Sequence, residues 1–230
     1  MDSMENLKAE YLMKKPKIQE RLSHFEKFWN DPYSWFYTGN EMRLLPVSSK
    51  DDQRLFEEIA FCIFTANTSA EMGLRAVDAV RNVLLTGSEI DMTRRLEGIY
   101  RFTNLRPAYI VHTRNHFKNT INFQLKNKLI SFKDRNERRD YLVQNVKGLG
   151  MKESSHFLRN VGFKGYSILD KHIINSMHEF GILPTNDKPK NAREYLEMEE
   201  KFIDFSKQAG INMDEMDLLL WSRKNGRILK

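Results

Sequence analysis

Residues 146–152 read Val-Lys-Gly-Leu-Gly-Met-Lys, in which two glycines separate two segments of helical periodicity. This pattern predicts a helix–hairpin–helix motif, because a Gly-x-Gly turn brings the backbone close to a ligand without Cβ atoms in the way. The N–H groups at the start of the second helix are then free to bind an anion such as a nucleic-acid phosphate. Lys152 lies in the first turn of that helix, and Asp170 precedes the next helical segment. The stretch therefore predicts a phosphate-binding hairpin beside an amine and a carboxylate.

Most of the sequence has helical periodicity, and alternating strand patterns are scarce and short. One example is the set of apolar residues that follows the acidic pair Asp51-Asp52 at spacings of three or four, namely Leu55, Phe56, Ile59 and Ile63. We therefore predict an all-α fold with two helical lobes that share a cleft. The predicted segments are an N-terminal helical segment at 1–49 that packs on the core, a central helical lobe at 50–130, the hairpin lobe at 131–180 and C-terminal helices at 181–230.

Charge and cysteine content limit the classes of function. The chain has 37 Lys and Arg residues against 31 Asp and Glu, a net charge of +6. Such a balance favours a polyanionic partner, because neutralisation of phosphates supplies most non-specific nucleic-acid affinity. Cys62 is the single cysteine in the sequence, which excludes an internal disulfide, a four-cysteine iron–sulfur cluster and a zinc ribbon. We expect no metal ion and no cofactor.

The sequence has no segment that indicates a membrane or secretory protein. Its mean hydropathy is −0.60, and no apolar run approaches the roughly 18–20 residues of a membrane span. The first 17 residues are charged and lack the apolar core of a signal peptide. Together with the single cysteine, these features lead us to expect a cytoplasmic protein.

The hairpin and the sequence around Asp170 resemble the helix–hairpin–helix superfamily of DNA glycosylases, through Gly148–Lys152 and Ile168–His172. Within that superfamily the chain is similar to the archaeal-type 8-oxoguanine DNA glycosylase/AP lyases. The similarity runs from about residue 50 to the last residue and is carried by 61–67, 100–102, 152–162 and 217–230. It implies a prokaryotic, nucleoid-associated monomer whose cleft binds double-stranded DNA containing oxidised guanine.

The resemblance implies that Lys152 and Asp170 are the catalytic residues. Lys152 would attack C1′ of the damaged nucleotide, and the resulting Schiff base acidifies the 2′-hydrogen and allows β-elimination. Asp170 would stabilise positive charge on the sugar as the base leaves. The ordinary alternatives are a solvated lysine and a helix N-cap, and capping is compatible with the catalytic role.

The remaining implied residues bind DNA and the flipped base. Lys147, Gly148, Gly150 and Met151 would bind phosphate, whereas the alternative is a purely structural hairpin. Phe102 and Trp221 would stack on the base, Asp217 would accept hydrogen bonds from N1 and N2 of guanine, and the carboxylate of Lys230 would accept from N7–H of 8-oxoguanine. For these four the alternatives are core aromatics, a helix-surface charge and a frayed chain end.

The roles of three further positions are not decided by the sequence. His156 and Arg159 follow Lys152 at spacings that place all three on one helix face, but His156 could equally be a packed core residue. The segment 65–69 breaks two helices and is either a capping turn or a turn that inserts into the duplex. The sequence leaves these interpretations open.

Two other functions also remain open. One is a glycosylase of the same superfamily that acts on a different damaged base. The other is a non-catalytic helix–hairpin–helix DNA-binding module. The single cysteine argues against the iron–sulfur branches of the superfamily, and the joint presence of Lys152 and Asp170 argues against a pure binder.

Overall fold

The computed structural model describes residues 3–29, 33–38, 41–46 and 51–225. Across these ranges the chain forms eleven α-helices and one two-stranded antiparallel sheet. The all-α class predicted from the periodicity is therefore confirmed. No helix in the described ranges is both long and apolar enough to span a membrane.

The elements follow one another in a simple order, with short 3₁₀ turns at Lys27–Trp29 and Arg81–Val83. Their bounds are α1 Ser3–Glu26, β1 Tyr33–Thr38, β2 Glu41–Pro46, α2 Asp51–Thr65, α3 Ala70–Val80, α4 Glu89–Leu96, α5 Leu105–Ile121, α6 Leu125–Ser131, α7 Arg135–Asn145, α8 Met151–Asn160, α9 Lys171–Glu179, α10 Ala192–Ala209 and α11 Met213–Asn225.

The prediction that residues 1–49 form a helical segment is wrong for the part that contains β1 and β2. These strands pair antiparallel, from Tyr33 opposite Pro46 to Thr38 opposite Glu41. The physical reason is composition, since β1 reads Tyr-Ser-Trp-Phe-Tyr-Thr and aromatic residues favour a pleated surface. In sequence the strands are separated by Gly39-Asn40, a dipeptide typical of two-residue hairpin loops.

The chain divides into two compact units whose limits differ from the four predicted segments. One unit is continuous, Phe28–Phe157, and the other combines Met1–Lys27 with Leu158–Lys230. The boundary falls inside α8, between Phe157 and Leu158. Helix α1 thus belongs with the C-terminal helices and not with the residues that follow it in the chain.

The core of the continuous unit is built around α2, which contacts α3, α5 and α6. Eleven of its fifteen residues are buried, and such burial of apolar surface is the main stabilising term in folding. Polar groups satisfy the carbonyls at its end: the Tyr100 hydroxyl donates to the Phe64 carbonyl at 2.7 Å, and Arg106 donates to that of Ala66 at 3.1 Å.

The second unit is centred on α11, which contacts α1, α9 and α10. Its buried residues Met216, Leu219 and Leu220 supply the apolar side. After α8, Gly162 has a φ of +90°, and a Cβ there would lie 2.7 Å from the Phe25 carbonyl oxygen. Only glycine fits this close approach, so the chain leaves α8 directly against the end of α1.

Candidate active site

The helix–hairpin–helix predicted from the glycines is present and consists of α7, residues 146–150 and α8. Helix α7 begins at the N-cap Asp134, whose Oδ1 accepts from the N–H groups of Asn136 and Glu137 at 2.8 and 2.9 Å. It ends where the Val146 N–H donates to the Leu142 carbonyl. The hairpin itself then begins at Lys147.

Helix α5 supports the hairpin through two residues one turn apart, Tyr109 and Thr113. The Thr113 hydroxyl accepts from the Lys147 N–H at 3.2 Å. Gly148 has a φ of +92°, and a Cβ at this position would lie 2.5 Å from Cδ2 of Tyr109. Sequence reasoning missed both supporting residues, because they lie on another helix and belong to no local motif.

The start of α8 presents unsatisfied N–H groups. The Ser154 N–H donates to the Gly150 carbonyl at 2.9 Å, so Gly150 accepts the first helical hydrogen bond. The N–H groups that precede Ser154 in this turn, including that of Met151, have no acceptor within the helix. Because the Lys147 N–H donates to Thr113, the side-chain amine is the group of Lys147 left for the predicted phosphate contact, and it lies 5.7 Å from the Tyr109 ring centroid.

Lys152 is the second residue of α8, as predicted. Its side chain is 31% exposed, and its Nζ lies 3.0 Å from Oε1 of Glu153. The Glu153 side chain is 19% exposed, so the ion pair is shielded from solvent on one side. Glu153 was not singled out by sequence reasoning, although its adjacency to Lys152 was a signal.

Asp170 is the N-cap of α9, so the capping alternative is confirmed. Its Oδ1 accepts from the N–H groups of His172 and Ile173 at 2.8 and 2.9 Å. Its Oδ2 accepts no hydrogen bond from any residue that the structure describes. Capping thus uses one carboxylate oxygen and leaves the other for chemistry, and the catalytic role stays a prediction.

Asp217 is buried, with 1% of its surface exposed, so its interpretation as a helix-surface charge is wrong. Its Oδ1 accepts from Nη1 of Arg159 at 2.8 Å, and its Oδ2 accepts from the Ile168 N–H at 2.9 Å. Burial raises the pKa of Asp217 to about 7, against the opposing effects of the Arg159 charge and the Ile168 N–H. The predicted contact with guanine stays a prediction.

Phe102 and Trp221 are both half-buried, which separates them from the fully buried aromatic core. Phe102 lies in the turn before α5, with the guanidinium carbons of Arg101 and Arg106 at 5.1 and 5.2 Å from its ring centroid. Trp221 lies on α11, one turn after Asp217. The two rings belong to different compact units, and their pairing around a base stays a prediction.

The structure decides the alternatives at His156 and Arg159. His156 is buried with its ring centroid 5.6 Å from that of Phe61, which is the packed interpretation. Arg159 is buried, and besides Asp217 its guanidinium contacts Asn160 and lies 5.2 Å from the Phe25 ring centroid. Both side chains stabilise the protein interior.

The turn at 65–69 is a capping turn. The Ser69 hydroxyl accepts from the Met72 N–H at 3.1 Å, and Asn67 has a φ of 62°. Insertion of this turn into a duplex stays a prediction. Lys230 lies outside the described residues. Among the residues that the structure describes, no group of three or more His, Cys, Asp or Glu side chains is arranged to hold a metal ion.

Comparison with known proteins places this arrangement in a family. A family model described as 8-oxoguanine DNA glycosylase matches residues 41–211. The 8-oxoguanine DNA glycosylase/AP lyase of Korarchaeum cryptofilum is 40% identical over 182 residues, which cover 79% of this chain and 85% of that protein.

Solved structures agree with the sequence relatives. The crystal structure of the Methanocaldococcus jannaschii 8-oxoguanine DNA glycosylase superposes with a TM-score of 0.81 at 31% identity and covers 99% of this chain and 97% of that one. The structure of the glycosylase/lyase from the same organism with a 15mer DNA containing 8-oxoguanine gives 0.80 at 30% identity, with coverages of 97% and 99%. The chain therefore belongs to the 8-oxoguanine DNA glycosylase family.

Proposed function

We propose that this protein excises 8-oxoguanine from double-stranded DNA and then cleaves the strand at the resulting abasic site. The observation that carries the proposal is the placement of Lys152 in the first turn after a phosphate-binding hairpin, in a chain of this family. A pure binding module needs the hairpin and gains nothing from a half-buried amine. The proposed place of action is the cytoplasm, where the enzyme works as a monomer on the DNA.

The hairpin holds the DNA backbone next to the reacting nucleotide. The N–H groups of Gly148, Gly150 and Met151 and the side chain of Lys147 bind phosphate oxygens, which carry no sequence information. Such contacts suit an enzyme that inspects DNA of any sequence. They also place the flipped nucleotide near the start of α8, where Lys152 lies.

The chemistry needs one amine and one carboxylate. Once it has lost its proton, Nζ of Lys152 forms a bond to C1′ as the bond from C1′ to the base breaks. Oδ2 of Asp170 faces the positive charge that develops on the sugar, while Oδ1 keeps the side chain fixed on α9. Loss of a proton from Nζ and cleavage of the C1′–O4′ bond, whose oxygen takes up a proton, convert this adduct into a Schiff base at C1′. The Schiff base then permits loss of a 2′-proton and departure of the 3′-phosphate.

For the base pocket, we expect Phe102 and Trp221 each to stack on the flipped base, and Lys230 to take part in its recognition. Asp217 already accepts hydrogen bonds at both oxygens, so its part in the pocket is to hold α11 and the neighbouring backbone in place.

A panel of duplexes tests this function. Each duplex carries 8-oxoguanine, an oxidised pyrimidine, an alkylpurine or no lesion, opposite each of the four bases, and borohydride is added to trap a Schiff base. We expect excision and trapping with 8-oxoguanine above all other duplexes. Preferred excision of another lesion would assign the protein to a different substrate, and binding without trapping would identify a non-catalytic module.

A further inference from the structure

We infer that Tyr195, Glu199 and Asp217 are positioning residues that fix the backbone leading into Asp170 and thereby aim its free carboxylate oxygen. The inference rests on the proposed role of Asp170 in base excision. All the contacts that support it lie within one compact unit, Met1–Lys27 with Leu158–Lys230. We call these three side chains the 167–169 clamp.

The clamp supplies hydrogen-bond acceptors to a segment that belongs to no helix or strand. Between α8 and α9 the chain is irregular, so its N–H groups need other partners. Three consecutive N–H groups find them in side chains of α10 and α11: Ser167 donates to Oε1 of Glu199 at 3.1 Å, Ile168 to Oδ2 of Asp217 at 2.9 Å, and Leu169 to the Tyr195 hydroxyl oxygen at 3.3 Å. The Tyr195 hydroxyl in turn donates to the Ser167 carbonyl at 2.6 Å.

Burial shows that the clamp is more than a set of surface contacts. Tyr195, Glu199 and Asp217 are 3%, 0% and 1% exposed. Placing two carboxylates in the interior costs free energy unless they are paired and hydrogen-bonded. Apolar side chains would fill the same space without that cost. What the polar residues add is a defined position for the three peptide groups that they bind.

The held backbone is connected directly to Asp170. The Asp170 N–H donates to the Ile168 carbonyl at 2.7 Å, which closes a tight turn on the residue that Asp217 binds. On the other side, Oδ1 of Asp170 caps α9. The backbone of Asp170 is thus fixed before and after the residue, and the direction of Oδ2 follows from both.

A second carboxylate extends the same pattern. Asp214 precedes Asp217 by one turn of α11, is 7% exposed, and accepts from the Gly165 N–H at 3.2 Å. The irregular segment is therefore attached to α11 at Gly165 and Ile168. The guanidinium of Arg159 donates to Asp217 and places positive charge near both carboxylates.

The test distinguishes a misplaced Asp170 carboxylate from a general loss of protein stability. Excision of 8-oxoguanine needs Asp170, whereas borohydride trapping on DNA that already contains an abasic site needs only the amine, because the base is gone. Glu199→Met removes the acceptor for Ser167, and Tyr195→Phe removes the hydroxyl that accepts from Leu169 and donates to the Ser167 carbonyl. Both substitutions nearly keep the side-chain volume. Since a misplacement of about 1 Å can reduce a rate by about 100-fold, we expect single-turnover excision to fall at least about tenfold while trapping on abasic DNA is retained.

Two control variants sharpen the result. Glu199→Gln keeps an oxygen that accepts from Ser167, so it should retain most excision. Tyr11→Phe removes a hydroxyl that donates to Glu215 of α11 at 2.7 Å but touches nothing in the clamp, and it should behave as the wild type. Wild-type excision by Glu199→Met and Tyr195→Phe would overturn the inference, and so would an equal loss of excision and trapping, which is the mark of a damaged fold.

A failure of the proposed function can be distinguished from a failure of this inference alone. If the wild-type protein does not excise 8-oxoguanine, or if Asp170→Asn excises it normally, the role of Asp170 is wrong and the clamp has nothing to aim. If Asp170→Asn is inactive and the clamp variants are fully active, the function stands and the inference alone is wrong.

Discussion

Lys152 and Glu153, adjacent at the start of α8, form an ion pair with 3.0 Å between Nζ and Oε1. The lysine that we propose as nucleophile is therefore held next to a proton acceptor in the protein without DNA. An ammonium cannot attack C1′, so the proton must leave before the Schiff base forms. Among the residues that the structure describes, Glu153 is the carboxylate paired with Nζ and can take this proton.

Substitution of Lys152 tests the nucleophile directly. Lys152→Gln removes the amine but leaves the hairpin N–H groups, so we expect loss of strand cleavage and borohydride trapping with DNA affinity largely kept. Gel-shift and trapping assays on the same duplex measure both. Lys207→Gln is the matched control, since Lys207 is also paired with a carboxylate, Asp204, but is 70% exposed. Trapping by Lys152→Gln at the wild-type level would move the nucleophile to another residue.

Asp170→Asn should separate capping from chemistry. Asparagine also caps helices, so the melting temperature should change little, whereas excision should fall by about 100-fold or more because a charge facing the transition state is lost. Asp134→Asn is the control, since Asp134 caps α7 through the same pair of contacts. Equal excision rates for the two variants would reduce Asp170 to a cap.

Gly148→Ala should weaken DNA binding and the fold together. A left-handed conformation costs a non-glycine residue about 1 kcal/mol, and here the added Cβ would also meet the Tyr109 ring at 2.5 Å. Gly98→Ala has the same conformational cost, with a φ of +75° and nothing within 4 Å of the added Cβ. We expect Gly98→Ala to lower stability slightly with unchanged DNA affinity, measured by urea unfolding and fluorescence anisotropy. If Gly148→Ala kept its DNA affinity, the hairpin would not be the part of the protein that binds phosphate.

The raised pKa of Asp217 predicts a pH-dependent stability. Its pKa is about 7 in the folded protein against an ordinary value of 3.8, so the folded state holds this proton more tightly than the unfolded state. The contribution of this group is fully present below about pH 4 and is lost as the pH rises through 7. Burial also raises the pKa of Asp214, so this carboxyl contributes stability that is likewise lost as the pH rises.

The measurement is urea unfolding at several pH values between 4 and 8 for the wild type and Asp217→Asn. We expect the free energy of unfolding of Asp217→Asn to fall less steeply with pH, even though its absolute stability is lower because Arg159 loses its partner. Parallel slopes for the two proteins would show that Asp217 does not titrate in this range.

Local patterns explain what the sequence predicted well. Asp170 binds N–H groups two and three residues ahead, so its capping role is visible in the residues themselves. The Gly-x-Gly hairpin is equally local. The strand pair at 33–46 also has a local signal, an aromatic run followed by Gly39-Asn40, which the prediction of a helical segment at 1–49 did not use.

Contacts between distant residues account for what was missed. Asp217 binds Ile168, Glu199 binds Ser167 and Thr113 binds Lys147, all across many residues of chain. A charged residue on an amphipathic helix is ordinarily exposed, so the sequence offered no reason to bury Asp217. Only the packing of α11 against its neighbours places it inside.

The membership of α1 in the C-terminal unit has a consequence for synthesis of the chain. Residues 28–157 form a continuous unit that can collapse while the ribosome is still translating. Helix α1, made before this unit, contacts α11, which is made after it. Leu7 and Ile18, which are buried in the folded protein, therefore stay exposed until α11 has emerged. A nascent chain that stalls before α11 would leave the apolar side chains of α1 exposed, as an accessible target for chaperones.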